Sequence, residues 1–134
     1  MSPQIPAPFQ TIQLPAAPDH LAPDGSAICS LLAVRGGSLA YCTLPAGATS
    51  QAVVHQTVEE IWYCLAGMGQ VWRRGAAEEE ITDFVPGTCV SIPVGTQFQF
   101  RTIGTKELHL LIATMPPWPG AHEALPVLGY WNTT

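Results

Sequence analysis

Short apolar or alternating segments, bounded by glycine and proline, dominate the chain from residue 27 to residue 117. Nine such segments are four to nine residues long and are rich in Val, Ile, Thr, Phe, Tyr and Trp. They cover residues 27–35, 38–44, 49–55, 59–65, 70–74, 81–85, 89–92, 97–102 and 108–114. No segment shows the period of an amphipathic helix. The pattern therefore predicts an all-β sandwich or barrel.

The segments on either side of this region are rich in proline. Residues 1–26 contain six of the 13 prolines. Because proline fixes φ and cannot donate to a β-ladder, we expect an extended arm there. Residues 118–134 carry Trp118 and Trp131, whose large rings need cover, so we expect this tail to pack on the barrel. The predicted organisation is an arm over 1–26, one barrel domain over 27–117 and a tail over 118–134.

Composition and charge exclude several classes of function. The chain has 134 residues, enough for one domain, and 47% of them are hydrophobic while 11% are charged, which excludes a disordered chain. Five Lys and Arg residues stand against ten Asp and Glu residues, for a net charge of −5. Nucleic acids and anionic membranes both require a basic surface, so we expect neither as a partner.

The N-terminal segment has neither the positive region nor the apolar core of a secretion signal, and no segment reaches the 18 apolar residues of a membrane span. We therefore expect a cytoplasmic protein. Its four cysteines, Cys29, Cys42, Cys64 and Cys89, form no CxxC motif and sit in apolar segments. We expect them to be buried, reduced thiols.

Two segments together resemble the two sequence motifs of the cupin superfamily, which are small β-barrels of the jelly-roll type. They are GATSQAVVHQTVEEIWYCLAGMG from Gly47 to Gly69 and GTCVSIPVGTQFQFRT from Gly87 to Thr102. Residues in register with the motifs are Gly47, His55, Glu60, Gly67, Gly87, Pro93 and Gly95. The resemblance covers about residues 27–117 and implies a single cupin-type jelly-roll barrel.

The resemblance also concerns a metal site. Metal-binding cupins use two histidines and a glutamate of the first motif and one histidine of the second. This chain keeps His55 and Glu60, but Val53 and Phe98 stand at the other two positions. Two protein ligands fall short of the usual three or four. We therefore expect no metal cofactor, and a divalent metal would require an atypical ligand set around His55 and Glu60.

Strand alternation places one set of side chains on a common face toward the barrel interior. The set is Gln51, Val53, His55, Glu60, Trp62, Cys64, Phe98 and Phe100. An apolar wall with a few polar groups is typical of a small-molecule site. Burial and mutual charge shift the pKa of an imidazole and a carboxyl group, so His55 and Glu60 are the candidate acid–base pair.

Three functions are open on the sequence alone. The first is a metal-independent isomerase, epimerase or lyase that uses His55 and Glu60 as catalytic residues. The second is a non-catalytic module that binds a sugar or another metabolite. The third is a metal-dependent cupin enzyme, such as an oxygenase. A small-molecule ligand or substrate is the expected partner in all three.

The resemblance further implies a homodimer, because cupins of this size are commonly dimers. The arm contains the apolar residues Ile5, Phe9, Ile12 and Leu14, and strand edges are safest when another chain covers them. We expect the arm or an edge strand to cross to the partner subunit.

Overall fold

The computed structural model describes residues 7–133, so the first part of the predicted arm, with Ile5, lies outside the described residues. The described chain forms strands and one short 3-10 turn at Ala121–Glu123. The strands are β1 (His20–Leu21), β2 (Ala27–Val34), β3 (Gly37–Leu44), β4 (Val53–His55), β5 (Glu59–Ala66), β6 (Gly69–Arg74), β7 (Glu79–Phe84), β8 (Cys89–Ile92), β9 (Gln97–Thr102), β10 (Leu108–Met115) and β11 (Ala124–Pro126).

These strands form two antiparallel sheets that face each other. One sheet has the order β1-β2-β3-β10-β5-β8, and the other has the order β11-β4-β9-β6-β7. Strands that are distant in sequence, such as β3 and β10, lie side by side in the same sheet. The predicted all-β jelly-roll barrel is therefore confirmed.

Aromatic side chains fill the core between the sheets. The Trp62 ring lies 5.3 Å from Phe98 and 5.0 Å from Phe100, and its angle to each is close to perpendicular. Phe84 makes a further edge contact with Trp62 at 6.5 Å. All four side chains are almost fully buried, and such edge-to-face pairs add to the stabilisation from area burial alone.

The predicted strand over residues 49–55 is shorter than expected. Only Val53–His55 pair as a strand, while Thr49 forms an isolated bridge with Arg101. The backbone amide of Gln51 instead donates to the carbonyl of Asp24 at 2.8 Å. That bond takes residues 49–52 out of the β-ladder, and the alternation of side chains is lost there.

The C-terminal residues contact the barrel at several points. The backbone amide of Trp118 donates to Ser38 Oγ at 3.1 Å, and the amide of Trp131 donates to Gln99 Oε1 at 2.8 Å. The side chain of Gln99 points away from the barrel interior and is nonetheless almost fully buried, because the chain around Trp131 covers it. These contacts bring Trp118 and β11 to the same end of the barrel as β4.

The cysteines do not all behave as expected. Cys29, Cys42 and Cys64 are buried free thiols, whereas Cys89 is exposed. Cys89 begins β8, in which alternate residues are exposed and buried, and it occupies an outward position. The expectation of a buried thiol was wrong for this residue. Among residues 7–133, no helix is long and apolar enough to span a membrane.

The buried carboxylate of Glu123 holds the loop between β4 and β5. It accepts hydrogen bonds from the backbone amides of Thr57 and Val58 and from the Thr57 hydroxyl. Burial alone would raise the pKa of Glu123, but these hydrogen bonds outweigh it and the pKa is lowered. Since the loop joins His55 to Glu60, Glu123 helps to set the positions of both.

We expect Glu123→Gln to lower the free energy of unfolding by about 2 kcal/mol at pH 7, because charge-assisted hydrogen bonds to buried amides are weakened. Because the pKa of Glu123 is lower in the folded protein than the ordinary 4.5, its carboxylate stabilises the fold in full above pH 4.5. This stabilisation is lost as pH falls through the pKa that Glu123 has in the folded protein. Urea unfolding at pH 7 and at lower pH measures both effects. Glu78→Gln, at an exposed turn position, is the control, and equal stability of the two variants would contradict the prediction.

Candidate small-molecule site

A cavity of about 290 Å³ lies between the two sheets. Its walls come from β2, β3, β5 and β10 of one sheet, from β4, β9 and β11 of the other, and from the chain around Trp118. Most of the wall is apolar. The polar side chains that line it belong to His20, Asp24, Ser26, Ser30, Ser38, His55, Glu60 and Thr114.

Five of the eight side chains predicted to share a face line this cavity. They are Val53, His55, Glu60, Trp62 and Phe98. Gln51 is exposed to solvent instead, since it precedes the start of β4 and its amide bonds to Asp24.

Cys64 and Phe100 are on the predicted face but do not line the cavity. Both side chains are fully buried in the core. The Cys64 thiol lies 3.9 Å from the carbonyl oxygen of Phe84, and Phe100 packs behind Trp62. Alternation placed them on the correct side of the sheet, but the ring of Trp62 fills the barrel between them and the cavity.

Two neighbours hold the Glu60 carboxyl group. The Thr114 hydroxyl donates to Oε2 at 2.6 Å, and Trp62 Nε1 donates to Oε1 at 3.0 Å. Burial raises the pKa of Glu60; the hydrogen bonds from Thr114 and Trp62 oppose this rise, and the charge of Asp24 adds to it. The outcome is a carboxyl group with a raised pKa and a fixed orientation.

His55 lies beside Glu60 without bonding to it. Its Nδ1 atom is 3.9 Å from Glu60 Oε1, beyond hydrogen-bond distance. This buried Nδ1 has no hydrogen-bond partner among residues 7–133. The ring packs edge-on against Phe98 at 5.0 Å and Trp118 at 5.2 Å. Burial lowers the pKa of His55 to about 4, although the charge of Glu123 opposes this shift, so the imidazole is neutral at pH 7.

Sequence reasoning missed several residues of the cavity. Thr114 ends the last predicted strand, two residues after Ile112, and strand alternation places both side chains on the same face. That signal could have identified Thr114. Asp24 and Ser26 belong to the segment PDGS, which is a turn signal. The pattern indicates the turn, but nothing in the sequence indicates that the turn faces the cavity. The same holds for Trp118.

The donor atoms of the cavity do not fit the metal centre of metal-binding cupins. Val53 and Phe98, both lining the cavity, present only hydrocarbon where that centre has histidine. Both Glu60 oxygens already accept hydrogen bonds. Within the described part of the chain, no group of three or more His, Cys, Asp or Glu side chains is placed to hold a metal ion.

Comparison with known proteins agrees with this fold. The family model described as a cupin domain matches residues 40–114, and the chain belongs to this family. It is 31% identical over 114 residues to an uncharacterized protein of Methanocaldococcus jannaschii, covering 81% of this chain and 86% of that protein.

Solved structures share the fold at low sequence identity. A predicted oxalate decarboxylase from Thermotoga maritima gives a TM-score of 0.64 at 18% identity, over 78% of this chain and 98% of that one. The cupin domain of Cnp3 from Schizosaccharomyces pombe gives a TM-score of 0.61 at 15% identity, over 67% of this chain. The alignment spans 64% of that Cnp3 structure, slightly under two thirds of its length.

We expect the His55 imidazole to titrate near pH 4, because burial disfavours its charged form. Because the pKa of His55 in the folded protein lies below the ordinary 6.5, the unfolded protein binds a proton at this residue more readily. The neutral ring therefore contributes its whole stabilisation above pH 6.5, and this contribution is lost as pH falls through 4. NMR titration of the ring resonances measures the midpoint, and His55→Gln identifies the signal and should remove this part of the pH dependence. A midpoint at or above 6.5 would show that the ring is not desolvated.

Proposed function

We propose that this cavity binds a small organic molecule and catalyses proton transfer on it without a metal, with His55 as the base and Glu60 as the acid. The observation that carries the proposal is the buried Nδ1 of His55. A buried polar atom without a partner next to an anchored carboxyl group is costly to keep, unless a ligand supplies the missing partner.

The two groups have complementary protonation states. A neutral imidazole can accept a proton, and a carboxyl group with a raised pKa can hold one. Because the two side chains both line the cavity and approach to 3.9 Å, from Nδ1 to Oε1, one ligand can contact both. Acid–base sites typically contain two ionisable groups whose surroundings shift their pKa values, so that one holds a proton and the other can accept one.

An isomerisation shows how the protons balance. The imidazole of His55 takes a proton from a hydroxyl-bearing carbon beside a carbonyl group, while Glu60 gives its proton to the carbonyl oxygen. The resulting enediol then loses a hydroxyl proton to Glu60 and regains a carbon-bound proton from His55. Both side chains return to their starting states, so the site needs no further reactant. Epimerisation and elimination use the same first step.

We expect a sugar or hydroxy ketone from a panel of such compounds to exchange a carbon-bound proton for deuterium when incubated with the protein in D2O. Glu60→Gln and His55→Gln should each slow the exchange by about a hundredfold or more, since each removes one proton carrier. NMR follows the loss of the C–H signal. Glu59→Gln, an exposed neighbour at the start of β5, is the matched control. Undiminished exchange in Glu60→Gln with an intact fold would refute the acid–base role.

A second candidate function is binding without catalysis. The observation in its favour is that Glu60 already accepts two hydrogen bonds, from Thr114 and Trp62, and can act as a fixed anchor. In that case a panel compound raises the melting temperature, but no deuterium enters it and no product forms. The metal-dependent alternative predicts stoichiometric metal in protein purified without chelators, which elemental analysis detects.

We also propose that the protein forms a homodimer through the outer face of the six-stranded sheet. The exposed apolar side chains on this face are Leu39 of β3 and Ile61 and Tyr63 of β5. Strand β10 lies between these two strands, and its residues Leu111 and Ala113 pair with residues of both. A continuous apolar face of this kind is typical of an interaction surface. In the arm, Phe9 is fully exposed and Ile12 and Leu14 are about half exposed, so the arm too has apolar surface free to contact a second copy.

We expect sedimentation velocity at micromolar concentration to show a dimer. Ile61→Lys should give a monomer, because it places a charge at the centre of the apolar face. Ile81→Lys changes an isoleucine of similar exposure on β7 of the other sheet, and it should stay dimeric. A monomeric wild-type protein would overturn the homodimer.

A further inference from the structure

The titratable side chains around the cavity are carboxyl groups and imidazoles. The titratable side chains that line it are His20, Asp24, His55 and Glu60, and His55 is neutral at pH 7 because burial lowers its pKa. No Lys or Arg side chain is among the described residues of the wall. A ligand in this cavity therefore meets carboxyl groups and neutral donors or acceptors, with no fixed positive charge.

A turn of the N-terminal segment brings Asp24 to the cavity. The amide of Ala22 donates to the carbonyl of Ser26 at 2.8 Å, and the amide of Gly25 donates to the carbonyl of Ala22 at 2.9 Å. Gly25 has a φ of 93°, in the left-handed region that favours glycine. The carbonyl of Asp24 also accepts the amide of Gln51, which ties the turn to the chain leading into β4.

The orientation of the Asp24 carboxyl group is set from one side. Ser26 donates to Oδ1 twice, from its backbone amide at 3.0 Å and from its hydroxyl at 2.6 Å. Oδ2 receives no side-chain donor among residues 7–133. Burial raises the pKa of Asp24, and its charge in turn raises the pKa of Glu60. The charge of Asp24 therefore acts on the Glu60 carboxyl group.

We propose that Asp24 selects the ligand of this cavity: small organic molecules that offer hydroxyl or ammonium donors are bound, and carboxylates and phosphates are rejected. The inference rests on the proposed function, in that the cavity must bind a small molecule. Its chemical reason is that Asp24 lines the cavity and its Oδ2 receives no side-chain donor among residues 7–133, so a ligand that donates can bond to it. An anionic group would add a like charge beside this carboxylate and donate no hydrogen bond to it.

The apolar part of the wall limits the rest of the ligand. Trp118, Phe98 and Ile112 line the cavity, so the ligand needs an apolar face beside its donors. Benzyl alcohol, benzylamine and benzoate form a matched set of probes, because they share one ring and differ in the head group. They present a hydroxyl donor, an ammonium donor and an anionic acceptor, respectively.

The test is the dissociation constant of each probe, measured by NMR titration of the wild-type protein and of variants. We expect benzyl alcohol or benzylamine to bind at least about tenfold more tightly than benzoate, because the Asp24 carboxylate repels an anion in a poorly screened site. The variant Asp24→Asn keeps an acceptor for Ser26. It should bind benzylamine more weakly and benzoate more tightly than the wild type, so that the ratio of the two dissociation constants moves toward one. Ser26→Ala, which frees the Asp24 side chain, should change this ratio in the same direction. Asp83→Asn, an exposed aspartate on β7, is the control and should match the wild type.

Two results would overturn the inference. Equal binding of benzoate and benzyl alcohol by the wild type would show that the cavity does not select by charge. Unchanged selection in Asp24→Asn, with an intact fold by circular dichroism, would show that another group is responsible. Either result leaves proton transfer by His55 and Glu60 standing. Failure of all three probes to bind would instead count against the binding cavity itself, and so against both proposals.

Discussion

The desolvation of His55 and Glu60 by the two facing sheets is the constraint on which the rest of the site depends. Each group is about nineteen-twentieths buried, and the 3.9 Å between Nδ1 and Oε1 is too long for a hydrogen bond. In such surroundings the charged form of each is disfavoured, which lowers the pKa of the imidazole and raises that of the carboxyl group. A pair that bonded directly would instead favour imidazolium with carboxylate, which reverses the protonation states of the two groups.

The separation persists because other residues hold each partner. Thr114 and Trp62 hold the Glu60 carboxyl group from the sheet side, and β11 pairs with His55 through Ala124. Glu123, next along the chain, holds the loop that joins the two residues. The C-terminal segment therefore does more than cover apolar surface. It limits how far the loop can relax, and this limit helps to keep Nδ1 and Oε1 apart.

Most of the fold could be predicted from the sequence because most strands are marked by a local sequence pattern. Alternation, β-branched residues and the glycines and prolines at the breaks are properties of short segments, and β2 to β10 follow them closely. Strands β1 and β11 are two and three residues long and lie in proline-rich segments, so their pairing depends on tertiary contacts. The same limit applies to the site. His55 and Glu60 follow from motif spacing, whereas Asp24 reaches the cavity through a turn whose direction only the packed structure determines.

The charge pattern of the cavity bears on how one fold can serve different chemistry. Where metal-binding cupins have histidine, this chain has Val53 and Phe98, and no Lys or Arg among residues 7–133 lines the wall. Hydrocarbon side chains at these two strand positions change what the cavity can contact, although the backbone around them keeps the family's fold. Fold similarity alone therefore does not transfer a substrate to this chain.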